Sequence, residues 1–380
     1  MIFRKFRSYH LLTLLETFDP KRGALDRFLS YYFRKNRSIG SKDRSEIVQN
    51  IYMLIRFWRL CDATAGFKLN WNRRLELLNR FGVVNLQERL GENRPERYGI
   101  GPILFQRMKR SFDQPTLGEQ LNILNEQAPI SIRANLIKIS REDLLPILPK
   151  MLNPMPSAYA PNAIILSKRE NLLTLSSFKE GLFELQDEGS QLIANFVDCA
   201  PGDRVLDYCA GSGGKTLAFA PKMKNKGEIL LYDVRSSLLR KAKDRLKRAG
   251  IYNVRFCTSE TDPPKKYHNK MDWVVLDVPC SGSGSMRRHP ELRESLEITE
   301  LSYWVEKQRD IFRKAIAFVK PGGLLIYITC SLFREENCDQ IEFFLKNHPI
   351  SLVKDPTHIR LTSGGPDGFF SALFQKKSSY

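Results

Sequence analysis

The chain lacks any Cys-x-x-Cys pair, although it carries seven cysteines: Cys61, Cys199, Cys209, Cys257, Cys280, Cys330 and Cys338. An odd count without that spacing supports neither a disulfide framework nor a zinc site. No metal is expected, and a reducing, cytoplasmic setting fits best. Long apolar runs are also missing. None approaches the ~18 residues of a membrane span, so no membrane partner is expected. Met1–Leu15 is basic and then apolar only over Leu11–Leu15. That run is too short for a secretory core and reads as a first helix. Internal repeats and low-complexity tracts are absent, and an apolar content of 42% argues against disorder.

What the chain has in excess is positive charge. It holds 60 Lys and Arg against 42 Asp and Glu, a net +18. Residues 1–120 hold 23 of the basic and 12 of the acidic residues, so +11 lies in the first third. A basic surface of this extent implies a polyanionic partner, nucleic acid first.

A length of 380 residues has room for two or three domains. Residues 1–125 show no strand alternation. Ile47, Ile51, Leu54, Ile55 and Trp58, then Leu75, Leu77 and Leu78, recur at helical spacing, and Ser41 or Asp43 is a candidate cap. The aromatics among the basic residues, Phe28, Tyr31, Tyr32, Phe33, Phe57 and Trp58, are read as core rather than base-stacking residues. The arginines and lysines are matched to phosphates. Residues 126–185 form a small α+β unit, with strands expected at Ile130–Ala134, Asn162–Leu166 and Leu172–Leu175 and a helix over Arg141–Leu148. Residues 186–380 alternate strand and helix, the pattern of a parallel, doubly wound α/β sheet. Strands are expected at Arg204–Tyr208, Ile229–Tyr232, Val254–Cys257, Trp273–Leu276 and Leu324–Ile328, with helices at Ser236–Ala249 and Leu301–Val319.

The first of these strands runs into Cys209-Ala210-Gly211-Ser212-Gly213-Gly214-Lys215-Thr216. Glycines there admit a close ligand, and the following helix offers free N–H groups. The dinucleotide fingerprint fails at Thr216, and the P-loop fails at Cys209, where its first glycine belongs. A nucleoside cofactor without a phosphate cradle remains, namely S-adenosylmethionine. Asp233 ends the next strand, where an acid accepts from ribose hydroxyls.

Two further strand ends carry thiols: Asp277-Val278-Pro279-Cys280-Ser281-Gly282-Ser283-Gly284 and Thr329-Cys330-Ser331. Strand ends of this kind line the ligand crevice. A thiolate adding to C6 of a pyrimidine turns C5 into a nucleophile for a methyl sulfonium. On the residues alone either cysteine could attack, and Asp277 could bond base or cofactor. Gly282 and Gly284 would leave room for a flat ring.

With Phe183–Gln191, the segment Gly322–Ser331 trailed by Glu335-Glu336-Asn337, and Gly365-Pro366-Asp367-Gly368-Phe369-Phe370, these motifs resemble the RNA 5-methylcytosine methyltransferases, nearest to the bacterial 16S ribosomal RNA branch (RsmB/Sun/Fmu). The resemblance implies a Rossmann-like methyltransferase core at 186–380, a small α+β subdomain at 126–185 and an all-α NusB-like RNA-binding domain at 1–125. It implies that Cys330 attacks, that Cys280 assists release, and that Asp277 contacts base and cofactor. Cys209, Ala210, Gly211, Ser212, Gly213, Gly214 and Lys215 would cradle S-adenosylmethionine, with Asp233 on its ribose. Arg287 and Arg288 would meet RNA phosphates, and the partner would be 16S ribosomal RNA. No apolar stripe is left over for a second copy, so a monomer is expected. The chain departs from the family in two places. The turn lacks the family's Cys-Ala-Ala-Pro-Gly-Gly-Lys proline, and the third strand has Ser259, near Glu260 and Asp262, where the family has an aspartate beside adenine. Three other readings stand beside this one: an RNA-binding assembly protein with a degenerate methyltransferase fold, a transfer RNA enzyme, and a DNA enzyme using Cys280.

Overall fold

The computed structural model describes residues 2–20, 23–257 and 263–378. The chain forms two compact units, one of Met1–Gln127 with Ser285–Glu300, the other of Ala128–Gly284 with Leu301–Tyr380. Ser259, Glu260 and Asp262 lie outside the described residues.

The first unit is helical: α1 (Ile2–Thr17), α2 (Leu25–Lys35), α3 (Ser41–Ala65), α4 (Trp71–Glu88), α5 (Pro102–Ser111) and α6 (Thr116–Ile123). Leu25, Leu29 and Phe33 repeat every four residues along α2 and meet Ile47, Ile51 and Leu54 of α3 in one core. Neither expected side chain caps α3. Gly40 is the N-cap, Ser41 is the first helical residue, and Asp43 is drawn instead to Arg7 at 2.6 Å. Phe33 and Phe57 are core residues, Trp58 is half-buried, and Tyr31 is exposed.

The segment 285–300 lies in sequence within the 186–380 stretch expected to form the α/β core, but it is knit into this helical unit. Arg293, fully buried, donates from Nη1 to Asn125 Oδ1 (2.9 Å) and from Nη2 to the Leu124 carbonyl (2.7 Å). Glu294 takes a two-pronged bond from Arg59, at 2.8 and 2.9 Å. Glu297 accepts from the free N–H groups of Ile103 and Leu104 at the start of α5, where a carboxylate is favoured.

The second unit opens with a four-stranded antiparallel sheet, β1 (Ile130–Ala134), β2 (Pro154–Pro156), β3 (Ala163–Leu166) and β4 (Phe183–Leu185), in the order β2-β3-β1-β4. Helices α7 (Arg141–Leu144) and α8 (Ser176–Lys179) fill its connections. Two expected elements differ. Pro146 turns the helix after α7 into a 3₁₀ segment, Leu145–Ile147, and Leu172–Thr174 is a 3₁₀ turn rather than a strand.

The large sheet follows: α9 (Glu188–Ala194), β5 (Arg204–Asp207), α10 (Gly214–Phe219), β6 (Glu228–Tyr232), α11 (Ser236–Ala249), β7 (Val254–Cys257), β8 (Met271–Asp277), α12 (Leu301–Ala315), β9 (Val319–Thr329), α13 (Cys338–Asn347), β10 (Ile350–Leu352), β11 (Thr357–Ile359) and β12 (Phe369–Lys376). Its order is β10-β12-β9-β8-β5-β6-β7, with β11 also paired to β12. The five strands from β7 to β9 are parallel, while β12 runs antiparallel to β9, an addition the parallel pattern did not foreshadow. Both faces are covered. Leu206, Val274, Leu276, Leu325 and Tyr327 meet Phe312 of α12 and Phe344 of α13. Val205, Val275, Ile326 and Ile328 meet Leu239, Ala242 and Leu246 of α11. That double coverage is why these strands read as continuous apolar runs.

The small sheet is tied to α11 by buried Glu184, which pairs with Arg245 at 3.0 Å and with Arg248. Beside it the backbone of Gly181, at φ +73°, runs so near Arg248 that a Cβ would lie 2.2 Å from that carbonyl oxygen. Gly181→Ala should therefore destabilise the second unit by about 2–4 kcal/mol, read as a lowered thermal midpoint.

Candidate active site

The chain leaves β5, turns, and returns to the sheet at β6 on one side, while β8 lies on the other. This is the switch point where open α/β sheets form their crevice. Asp207, Asp233 and Asp277 close β5, β6 and β8 around it.

The turn after β5 needs two left-handed glycines, Gly211 at φ +53° and Gly213 at φ +77°. Gly213 also lets α11 approach, since a Cβ there would meet the Ala242 Cβ at 3.3 Å. Gly211 donates to Asp233 Oδ2 (2.8 Å), and no neighbour crowds its Cα. The rest of the turn is braced by protein. Ser212 accepts from Arg245 at both its hydroxyl and its carbonyl (2.8 Å each), and the Gly214 carbonyl accepts from Gln186 (3.1 Å). Cys209 and Ala210 pack into the core. The open side of the cradle is thus Gly211 with the two flanking acids.

Asp207 is fully buried. Thr216 donates to its Oδ2 (2.6 Å), and its Oδ1 has no partner among the described residues. Burial pushes its carboxyl up from 3.8 to about 7, against the Thr216 bond. Asp233 is the opposite case. Its burial acts upward, but bonds from Arg235 and the Gly211 amide outweigh it and hold the carboxyl below its ordinary value. Arg235 donates to it through Nε (2.9 Å) and Nη2 (3.0 Å) from an exposed side chain. Asp277 is bound by Lys215 Nζ at 2.9 Å.

The thiols meet because β8 and β9 are neighbours. Cys280 Sγ lies 3.5 Å from Cys330 Sγ. The hydrogen bond to Cys330, and then burial, push the Cys280 thiol well above its ordinary value, so it keeps its proton. Glu336 fastens both loops. Its Oε1 accepts from the Ser281 amide and from Gln308 Nε2 (2.9 Å each), and its Oε2 accepts from Ser331. Thr329 donates to Asn337 Oδ1 (2.6 Å), whose amide returns to the Ser331 carbonyl (2.9 Å). Gly284 donates to the Cys330 carbonyl (2.8 Å). Its missing side chain accommodates the Gly368 carbonyl, 2.2 Å from where a Cβ would be, rather than a ligand ring.

Sequence reasoning missed Glu336, Gln308, Arg235 and Asp207 as site residues. The motif Glu335-Glu336-Asn337 trailing the Cys330 strand was the one signal for the first. Arg287 and Arg288 lie in the helical unit. The Arg287 side chain is buried, and its carbonyl accepts from Arg56 (2.7 Å), so solvent access falls to half-exposed Arg288. Among the described residues no cluster of His, Cys, Asp or Glu could hold a metal, and no helix is long and apolar enough to cross a membrane.

The family described as 16S rRNA methyltransferase RsmB/F matches residues 194–364. Ribosomal RNA small subunit methyltransferase B of Proteus mirabilis is 31% identical over 298 residues, covering 77% of this chain and 69% of that protein. The chain belongs to this family. The Vibrio vulnificus methyltransferase B is 30% identical over 262 residues, and there the match spans 67% of this chain and 61% of the relative. The crystal structure of PH0851 superposes with a TM-score of 0.79 at 25% identity, covering 96% of this chain and 97% of that one.

The raised carboxyl of Asp207 sets a pH dependence. Between about 4 and 7 the folded state holds a proton that the unfolded state has released, so stability falls as pH rises through that window. Asp207→Asn should flatten the fall. Thermal midpoints measured at pH 5 and pH 8 should differ less in the variant than in the parent.

Proposed function

We propose that the chain methylates C5 of a cytosine in RNA, 16S ribosomal RNA by family, through a covalent bond between Cys330 and C6. The observation that carries this reading is the pair of thiols 3.5 Å apart at adjacent strand ends, beside Asp277. The crevice residues fit S-adenosylmethionine, which supplies an electrophilic methyl sulfonium when bound. Gly211 gives its backbone room, and the buried, unpartnered Asp207 Oδ1 is an acceptor that a ligand donor would satisfy. Asp233 would take the ribose hydroxyls where it now holds exposed Arg235. Of the expected cradle, Ser212 and Gly214 act by bracing the turn.

In this mechanism Asp277, steadied by Lys215, accepts from the N4 amino group of the cytosine. Cys330 attacks C6 as a thiolate, and the electron pair displaced onto C5 forms the new carbon–methyl bond. Loss of the C5 proton to solvent then drives elimination of the Cys330 sulfur as a thiolate and restores the aromatic ring. Cys280, which keeps its proton until then, is placed to give it to the departing Cys330 sulfur and is reprotonated from solvent. A base in structured RNA must be unstacked to reach the thiols. The positive charge of the first 120 residues suits the phosphates around it. A transfer RNA substrate would use the same residues.

Two substitutions test the roles. Cys330→Ser should abolish both methyl transfer and the protein–RNA adduct. Cys280→Ser should accumulate an adduct stable in denaturing gels. An active Cys330→Ser enzyme beside an inert Cys280→Ser enzyme would reverse the assignment.

A further inference from the structure

The helical unit contains a cavity of about 270 Å³ that the catalytic reading does not use. Phe18, Trp58 and Trp71 are its aromatic lining, each half-buried, with Leu15 and Ile55 beside them. The Arg59 guanidinium lies over Trp58 at 4.5 Å and that of Arg74 over Trp71 at 4.4 Å, which leaves Phe18 and the ring edges of the indoles to meet a ligand. Two of the charged lining groups are already neutralised within the unit. Arg74 is bound by Asp62 (2.7 Å), and Glu294 is bound by Arg59 (2.8 Å). The other two are Lys68, exposed at the rim, and Glu291, 2% exposed, whose carboxylate holds the His289 imidazole above its ordinary value. Glu291 Oε1 accepts from the Leu25 amide (3.1 Å) and lies 3.5 Å from His289 Nδ1. Its Oε2 is buried without a partner among the described residues. An unsatisfied carboxylate oxygen at such depth is destabilising, and a ligand donor would offset it.

The three features describe a nucleotide: an aromatic lining for a ring, an acceptor for its edge, and a cation for its phosphate. Among the bases guanine fits best, because N1–H and N2–H₂ present adjacent donors to one carboxylate. Adenine and cytosine set a ring acceptor beside their amino group, which a carboxylate repels. A cationic peptide would also satisfy Glu291, but the +11 charge of residues 1–120 repels it. We propose that this cavity holds one unstacked guanine of the RNA substrate, packed among Phe18, Trp58 and Trp71, with its Watson–Crick edge on Glu291 and its phosphate at Lys68. RNA as the source of the guanine rests on the methyltransferase reading; the guanine site does not.

The test is tryptophan fluorescence of the full chain titrated with GMP, AMP, CMP, UMP and argininamide. GMP should quench at concentrations about tenfold below the others. Glu291→Gln keeps an acceptor for the Leu25 amide but turns the Oε2 position into a donor. It should lose the preference for GMP with its thermal midpoint unchanged. Lys68→Ala, at an exposed side chain, should weaken GMP but not guanosine, and it serves as the check if Glu291→Gln does not fold. An oligouridylate with one central guanosine should displace GMP, and the same oligomer with adenosine should not. Equal binding of the nucleotides, tighter argininamide, or GMP binding indifferent to both variants would overturn the site. GMP binding that neither RNA displaces would overturn the RNA source alone, whether or not methyl transfer is observed.

Discussion

The buried carboxylate of Glu336 is the interaction on which the thiol site depends. It takes donors from the Ser281 backbone, from Gln308 of α12 and from Ser331, and so fastens the loops after β8 and β9 to each other and to a helix. A buried charge is tolerable only when its lone pairs are filled by well-placed donors, and three donors meet that condition. The Glu336 carbonyl adds a fourth tie, accepting from the Tyr327 hydroxyl at 2.8 Å. The pairing of β8 with β9 brings the two loops together, and this lock fixes them where the sulfurs, 50 residues apart in sequence, lie 3.5 Å from each other.

Around this lock the charges are graded. Cys280 is kept protonated by its neighbour and by burial, Asp207 is held near neutrality by burial, and Asp233 is kept ionised by Arg235 and the Gly211 amide. Asp207, Asp233 and Cys280 thus have separate protonation tasks at one sheet edge. The environment separates the two acids, which the residue type alone would place together. In the proposed reaction Cys330 attacks and Cys280 carries a proton.

Much of the core was legible because its periodicity is local. The apolar runs of β5, β6, β8 and β9 mark buried parallel strands, and the thiols follow at their ends. The turn was legible because Gly211 and Gly213 serve a backbone conformation that few other residues adopt. What escaped was long-range. Glu336 acts on an amide 55 residues earlier, which no spacing reveals. The segment 285–300 follows the Cys280 turn directly in sequence, yet Arg293 binds carbonyls of Leu124 and Tyr98 in the helical unit. Gly284 was expected to clear space for a ring, but it clears space for the Gly368 backbone, a contact set by the antiparallel return of β12.

Replacing the C5 hydrogen of the target cytosine with fluorine removes the proton whose loss drives elimination, so the covalent complex cannot resolve. Peptide mapping of the parent protein trapped on RNA carrying 5-fluorocytidine therefore reads the nucleophile directly. The account predicts the RNA fragment on the peptide containing Cys330. A fragment on the Cys280 peptide, or no trapped complex at all on RNA that the protein methylates, would contradict it.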